Sequence, residues 1–141
     1  MRFAALTCAA RIENLPRVAA YVASCADGAG AGPKKAGLSI AVEEAFVNIC
    51  RHAYPDGSGE IVLICRTEER IFEVELKDKG IAFDPLSVPP ARMQEGDIMD
   101  RPVGGLGVPL MRRFCDAVEY RREAGWNILR LAIRRAGEAP S

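Results

Sequence analysis

Between about Pro33 and Ala53 the apolar residues recur at helical spacing, and this segment constrains the rest of the chain more than any other. At about 100° per residue, Leu38, Val42, Ala45, Ile49 and Ala53 fall in one narrow stripe that must face a core. Glu44, Asn48 and His52 form an i, i+4, i+8 row at the border of that stripe. A carboxylate, an amide and an imidazole placed there are half-buried at the rim of a pocket, not out in bulk water. Tyr54-Pro55-Asp56-Gly57-Ser58-Gly59 then ends the helix with a dense cluster of turn formers.

What flanks this helix sets the fold class. Residues 2–10 read as an extended entry segment. Asn14 is a candidate helix cap with Pro16 in the first turn, and Leu15, Val18, Ala19, Tyr21, Val22 and Cys25 supply the apolar spacing of a helix ending near Asp27-Gly28. After the long helix come two strands, Glu60 to Arg66 and Arg70 to Asp78, joined by Thr67-Glu68-Glu69 as a hairpin turn. The second alternates, with Ile71, Glu73, Glu75 and Lys77 on one face and Phe72, Val74 and Leu76 on the other. Residues 79–103 show no sustained period, and a connection that long in a compact domain is usually functional. It is read as a lid over about 84–104, with a short helix near Ala91–Gln94. A helix from Val108 to Cys115 and two closing strands, Ala117 to Arg122 and Asn127 to Ile133, complete the pattern. The expected architecture is α+β, a two-layer α/β sandwich with helices on one face of a mixed, largely antiparallel sheet, in a single domain over residues 1–141.

Charge and cysteine content narrow the function. Lys+Arg and Asp+Glu number 19 each, so a net charge of zero removes the electrostatic case for direct nucleic-acid or anionic-membrane binding. Arg112, Arg113, Arg121, Arg122, Arg130, Arg134 and Arg135 crowd the C-terminal third; such a group is more often a solvated face than an anion site. The five cysteines are odd in number, scattered and without a C-x-x-C pair, which disfavours a disulfide framework or a zinc site. The N-terminal apolar run is too short for a signal peptide, and nothing approaches a membrane span. A soluble protein in a reducing cytoplasm is expected.

Three short motifs carry chemistry. Glu44-x-x-x-Asn48 puts a carboxylate one helical turn from an amide oxygen, a hard donor suited to Mg²⁺, and a neighbouring carboxylate can orient a hydroxyl for attack. His52 fits either a structural histidine or a neighbour of phosphates. Asp78-Lys79-Gly80 directly follows a strand, where the carboxylate can accept a hydrogen bond from an amino group such as that of adenine, with Gly80 clearing room for a planar base. Gly104-Gly105-Leu106-Gly107 precedes Val108-Pro109-Leu110-Met111, and glycines before a helix start can bring backbone N–H groups to phosphates. Each motif alone competes with an ordinary turn, loop or polar helix edge. Their order is far more specific than any one of them.

In that order the chain resembles the GHKL superfamily of ATPases and kinases, which share the Bergerat nucleotide-binding fold, and within it the small anti-sigma-factor serine kinases of the RsbW/SpoIIAB type. Ala41 to Pro55 is similar to the first family motif, Asp78 to Pro85 to the second and Gly104 to Met111 to the third. The resemblance implies ATP or ADP as ligand with Mg²⁺ on Asn48, adenine read by Asp78 beside Gly80 and Ala82, and phosphates held by Gly104, Gly105, Leu106, Gly107 and Val108. It further implies Glu44 as the base that activates a serine on a small STAS-type antagonist, a sigma factor as second partner, and a homodimer. Two positions depart from the pattern. Ala82 stands where glycine is more usual, which would restrict the backbone and lower nucleotide affinity, and Val108-Pro109 would stiffen the lid hinge. Two other classes compete: a non-catalytic, nucleotide-dependent binding module, which would not need Glu44, and the catalytic domain of a sensor histidine kinase. The latter would need a helical phosphoacceptor region for which the chain has no room.

Overall fold

The computed structural model describes residues 2–87 and 107–136. Five strands form one sheet: β1 (Arg2–Ala9), β2 (Glu60–Thr67), β3 (Ile71–Asp78), β4 (Ala117–Glu123) and β5 (Trp126–Arg134), in the order β1-β2-β3-β5-β4. Every pairing is antiparallel, so the sheet is antiparallel throughout. Among the described residues, three α-helices accompany it: α1 (Leu15–Gly28), α2 (Lys35–His52) and α3 (Gly107–Phe114), with α1 and α3 each packed on α2.

The core lies between α2 and one face of the sheet. Leu38, Val42, Ala45 and Ala53 of the expected stripe are buried and Ile49 is partly so; Ala41 and Phe46 join them. From the sheet come Leu63 and Cys65 of β2, Phe72, Val74 and Leu76 of β3, and Leu129, Leu131 and Ile133 of β5. Phe46 and Phe72 have no exposed surface, and burying each contributes roughly 1.5–3 kcal/mol. The fold is thus the anticipated α+β sandwich.

Two details differ from the sequence reading. Asn14 occupies the residue before α1 but makes no capping bond; its Nδ2 donates to the Ala9 carbonyl at 2.8 Å. The chain enters α1 through a 3₁₀ turn over Ile12–Asn14, which leaves the Asn14 backbone helical and turns its side chain back toward β1. Glu73 and Glu75, read as one polar strand face, are only 8% and 4% exposed. The reason is a lattice of arginines lying over them: Arg66 bridges to Glu75 at 2.8 Å and Glu73 at 3.1 Å, and Arg130 to Glu73 at 3.0 Å. Arg121 also reaches Glu75, while Arg135 donates to the carbonyls of Ala29, Glu68 and Glu69. These arginines therefore hold the fold together and are not a free anion-binding group. The short helix expected near Ala91–Gln94, and the lid beyond residue 87, lie outside the described residues.

The β4–β5 hairpin turns on Ala124-Gly125, both at positive φ (51° and 84°). A two-residue turn of this kind suits Asn-Gly, whereas a Cβ with no polar group to offset the left-handed conformation is disfavoured. Ala124→Asn should raise unfolding stability by about 1 kcal/mol or less in chemical denaturation. An unchanged or lower midpoint would refute this reading of the turn.

All five cysteines are free thiols. Among the described residues no helix is long and apolar enough to cross a membrane.

Candidate active site

Of the candidate side chains, Asn48 and Asp78 meet in one pocket, where the core face of the sheet runs out against the C-terminal half of α2, while Glu44 and His52 do not line it. Asp78 is the last residue of β3 and lies on the same face as Phe72, Val74 and Leu76, so the alternation that buries those residues also buries it, at 3% exposure. Directly opposite in the ladder is Asn127 of β5. A pocket opens there, lined by Asn48, Ile49 and Ala53 of α2 and its end, Leu76 and Asp78 of β3, and Tyr120, Asn127 and Leu129 of β4 and β5. Phe83 and Pro85, just after the second motif, close one side. Apolar walls with a few convergent polar groups are the usual make-up of a small-molecule site.

Asn48 is 7% exposed, and its Oδ1 has no hydrogen-bond partner among the described residues. An unsatisfied buried acceptor costs roughly 1–3 kcal/mol. On a helix beside a pocket, such an acceptor is open to a water, an ion or a ligand. A neutral, hard oxygen donor of this kind fits Mg²⁺, which keeps most of its shell for water and phosphate oxygens and needs few protein ligands.

Asp78 is held at one oxygen. Its Oδ1 accepts the Gly80 N–H at 2.9 Å and Asn127 Nδ2 at 2.8 Å. The first bond closes a tight turn after β3, and the second crosses to the neighbouring strand. At Gly80 a Cβ would come within 2.2 Å of the Ala53 carbonyl oxygen, so glycine lets the loop abut the end of α2. Ile81 N–H donates to that same Ala53 oxygen at 2.9 Å.

Glu44 is half-buried one turn before Asn48 on α2. Its carboxyl pKa is raised, chiefly by burial and secondarily by the adjacent Glu43 charge, with Arg51 acting in the opposite sense. His52 is exposed at the end of α2, its ring 5.3 Å from that of Phe83. Ala82 is exposed and keeps a negative φ, so its methyl group imposes no backbone strain in this conformation. Gly107 opens α3 and Val108 follows it half-buried; Pro109 sits in the first turn, where its missing N–H is harmless. Gly104, Gly105 and Leu106 lie outside the described residues.

Sequence reasoning missed Asn127 and Tyr120. Asn127 Nδ2 donates to Asp78 and, at 2.8 Å, to the Ile81 carbonyl; Tyr120 O–H donates to Asn127 Oδ1 at 2.5 Å. The available signal was a lone amide near the start of a largely apolar strand, Trp126–Arg134.

A pocket thus lies between a long helix and an antiparallel sheet, with an orphaned amide oxygen on the helix and a carboxylate at a strand end. Residues 8–133 match the family described as histidine kinase-like ATPase domain, and the chain belongs to that family. It is 38% identical over 106 residues to the serine/threonine-protein kinase BtrW of Bordetella bronchiseptica, covering 72% of each chain. It is also 29% identical over 96 residues to the serine-protein kinase RsbW of Bacillus thuringiensis and of Bacillus cereus, covering 65% of this chain and 59% of those relatives. The histidine kinase AdeS of Acinetobacter baumannii shares the fold, with a TM-score of 0.52 at 10% identity, over 97% of this chain and 70% of that one. By class the chain is an ATP-binding protein kinase.

Proposed function

We propose that this protein is an ATP-dependent protein-serine kinase of a partner-switching system, which holds a sigma factor as an anti-sigma factor and phosphorylates a serine on a small STAS-type antagonist. The observation that carries this reading is the buried, unpartnered Asn48 Oδ1, one helical turn from a half-buried carboxyl and in one pocket with Asp78. Asn48 would hold Mg²⁺, which when bound neutralises charge on the ATP phosphates. The Asp78 carboxylate, held at Oδ1, would accept the adenine amino group at its other oxygen. Phe83 and Pro85 would move aside to admit the base, because the pocket is narrow while they line it. Gly104, Gly105, Leu106, Gly107 and Val108 would supply backbone N–H groups to the phosphates.

The transfer itself forms a bond from the serine Oγ to the γ-phosphorus and breaks that phosphorus's bond to the bridging oxygen, releasing ADP. Glu44 would take the serine proton. That role requires the carboxylate form, so the rate falls as pH drops through the Glu44 pKa. Because burial and Glu43 raise that pKa, the acid limb of kcat should lie above the ordinary glutamate range. Glu43→Gln removes the like charge and should move the limb to lower pH, whereas Arg51→Ala should move it higher. Identical pH profiles for all three proteins would remove Glu44 as the titrating group.

A pull-down from native lysate with Mg-ADP or Mg-ATP, followed by phosphosite mapping, tests the whole reading. The expected result is a small partner carrying phosphoserine after incubation with Mg-ATP, and a sigma factor retained by a kinase homodimer. A captured antagonist that leaves ATP intact would instead establish a non-catalytic binding module.

A further inference from the structure

We propose that Tyr120 and Asn127 form a positioning pair that sets which purine the site accepts, favouring the amino group of adenine over the carbonyl of a 6-oxopurine; the inference rests on the nucleotide reading above. The Asn127 amide is fully committed. Its nitrogen faces two acceptors, the Asp78 carboxylate and the Ile81 carbonyl, each at 2.8 Å. Its oxygen accepts the Tyr120 hydroxyl at 2.5 Å and lies 3.5 Å from the Phe83 nitrogen. A flipped amide would set its oxygen against the two acceptor oxygens of Asp78 and Ile81 and an N–H group toward the Phe83 N–H, so the orientation seen is the one the acceptors allow.

The strand register explains why these groups meet. Asn127 is directly opposite Asp78 across the β3–β5 ladder. Tyr120 pairs with Leu129 on the other side of β5, which puts Asn127 on its diagonal, within reach of an aromatic side chain. Asn127 is 5% exposed and Asp78 3%, so water does not readily replace either bond. Tyr120 and Asn127 both line the pocket with Asp78.

The consequence is a fixed polarity. Asn127 can only donate to Asp78 Oδ1, which leaves the second carboxylate oxygen as the acceptor for a ligand in the pocket that Asp78 lines. An acceptor matches the amino group of adenine and repels the carbonyl oxygen of hypoxanthine. The same amide ties Ile81, and hence the second-motif loop, to the sheet. Two substitutions separate polarity from simple support. Asn127→Asp places two carboxylates in contact, where they share a proton, and the shared proton gives the site a donor. Tyr120→Phe removes one hydroxyl and leaves the ring.

The test measures the dissociation constants of ADP and inosine diphosphate for the wild type and both variants by calorimetry at fixed Mg²⁺, with melting curves alongside. The wild type should prefer ADP by at least about tenfold. Tyr120→Phe should weaken ADP binding by about three- to tenfold and narrow that preference. Asn127→Asp should narrow it further or reverse it. Should Asn127→Asp not fold, Tyr120→Phe alone decides. Folded variants that lose affinity for both nucleotides equally, keeping the wild-type ratio, would overturn the proposal. A folded wild type that binds neither nucleotide would overturn the underlying site reading instead.

Discussion

Glu44→Gln is expected to lower phosphate transfer to the antagonist by about a hundredfold to ten-thousandfold, the usual contribution of a positioned general base. Nucleotide binding should stay close to the wild-type value. The two effects separate because Glu44 is absent from the pocket that holds Asn48 and Asp78, although it lies on the same helix one turn earlier. The substitution keeps the shape and length of the side chain and removes only the capacity to take a proton. Stability should not suffer. A carboxyl whose folded pKa is raised adds stability only in its protonated form, below its unfolded pKa, and that contribution is lost as pH rises through the folded value. At neutral pH the charged Glu44 is therefore an unfavourable, desolvated group, and a neutral amide should leave Tm equal or higher. Single-turnover transfer, ADP titration and a melting curve on one preparation examine all three points. Transfer at the wild-type rate would dismiss Glu44 as the base.

Much of this site was legible because its central element is local. The apolar stripe on α2 fixes the helix phase, and the phase puts Glu44, Asn48 and His52 on the stripe's border before any tertiary contact is known. Asp78 was legible for a similar reason, as the residue ending an alternating strand. The rest depends on pairing between segments far apart in sequence. Nothing near Asn127 announces that it faces Asp78, because that contact follows from the β3–β5 register, 49 residues apart. Tyr120 is one strand further still. The burial of Glu73 and Glu75 was hidden in the same way: a period of two separates the faces of β3 but does not say that Arg66 and Arg130 will arch over one of them.

Substitution of Gly80 should have the largest structural effect. A Cβ at position 80 would sit 2.2 Å from the Ala53 carbonyl oxygen and 2.6 Å from both the carbonyl carbon and the Cβ of the same residue. The obstacle is mostly backbone at the end of α2, which cannot rotate away as a flexible side chain would. Gly80→Ala must therefore push the loop off the helix. That movement strains two bonds at once: Ile81 N–H to the Ala53 oxygen, and Gly80 N–H to Asp78 Oδ1, both 2.9 Å. Forced overpacking of this kind costs about 1–3 kcal/mol. For a chain of this size each kcal/mol lowers Tm by roughly 2–4 °C or somewhat more. Nucleotide affinity should fall as well, because Asp78 loses one of the two donors that orient it. The two losses have one cause, the close seating of the loop against Ala53, so a Gly80→Ala protein with unchanged Tm and unchanged ADP affinity would show that the loop is not seated there. An unchanged Tm with weakened ADP binding would move the role of Gly80 from the helix end to the pocket, which is where the motif alone had put it.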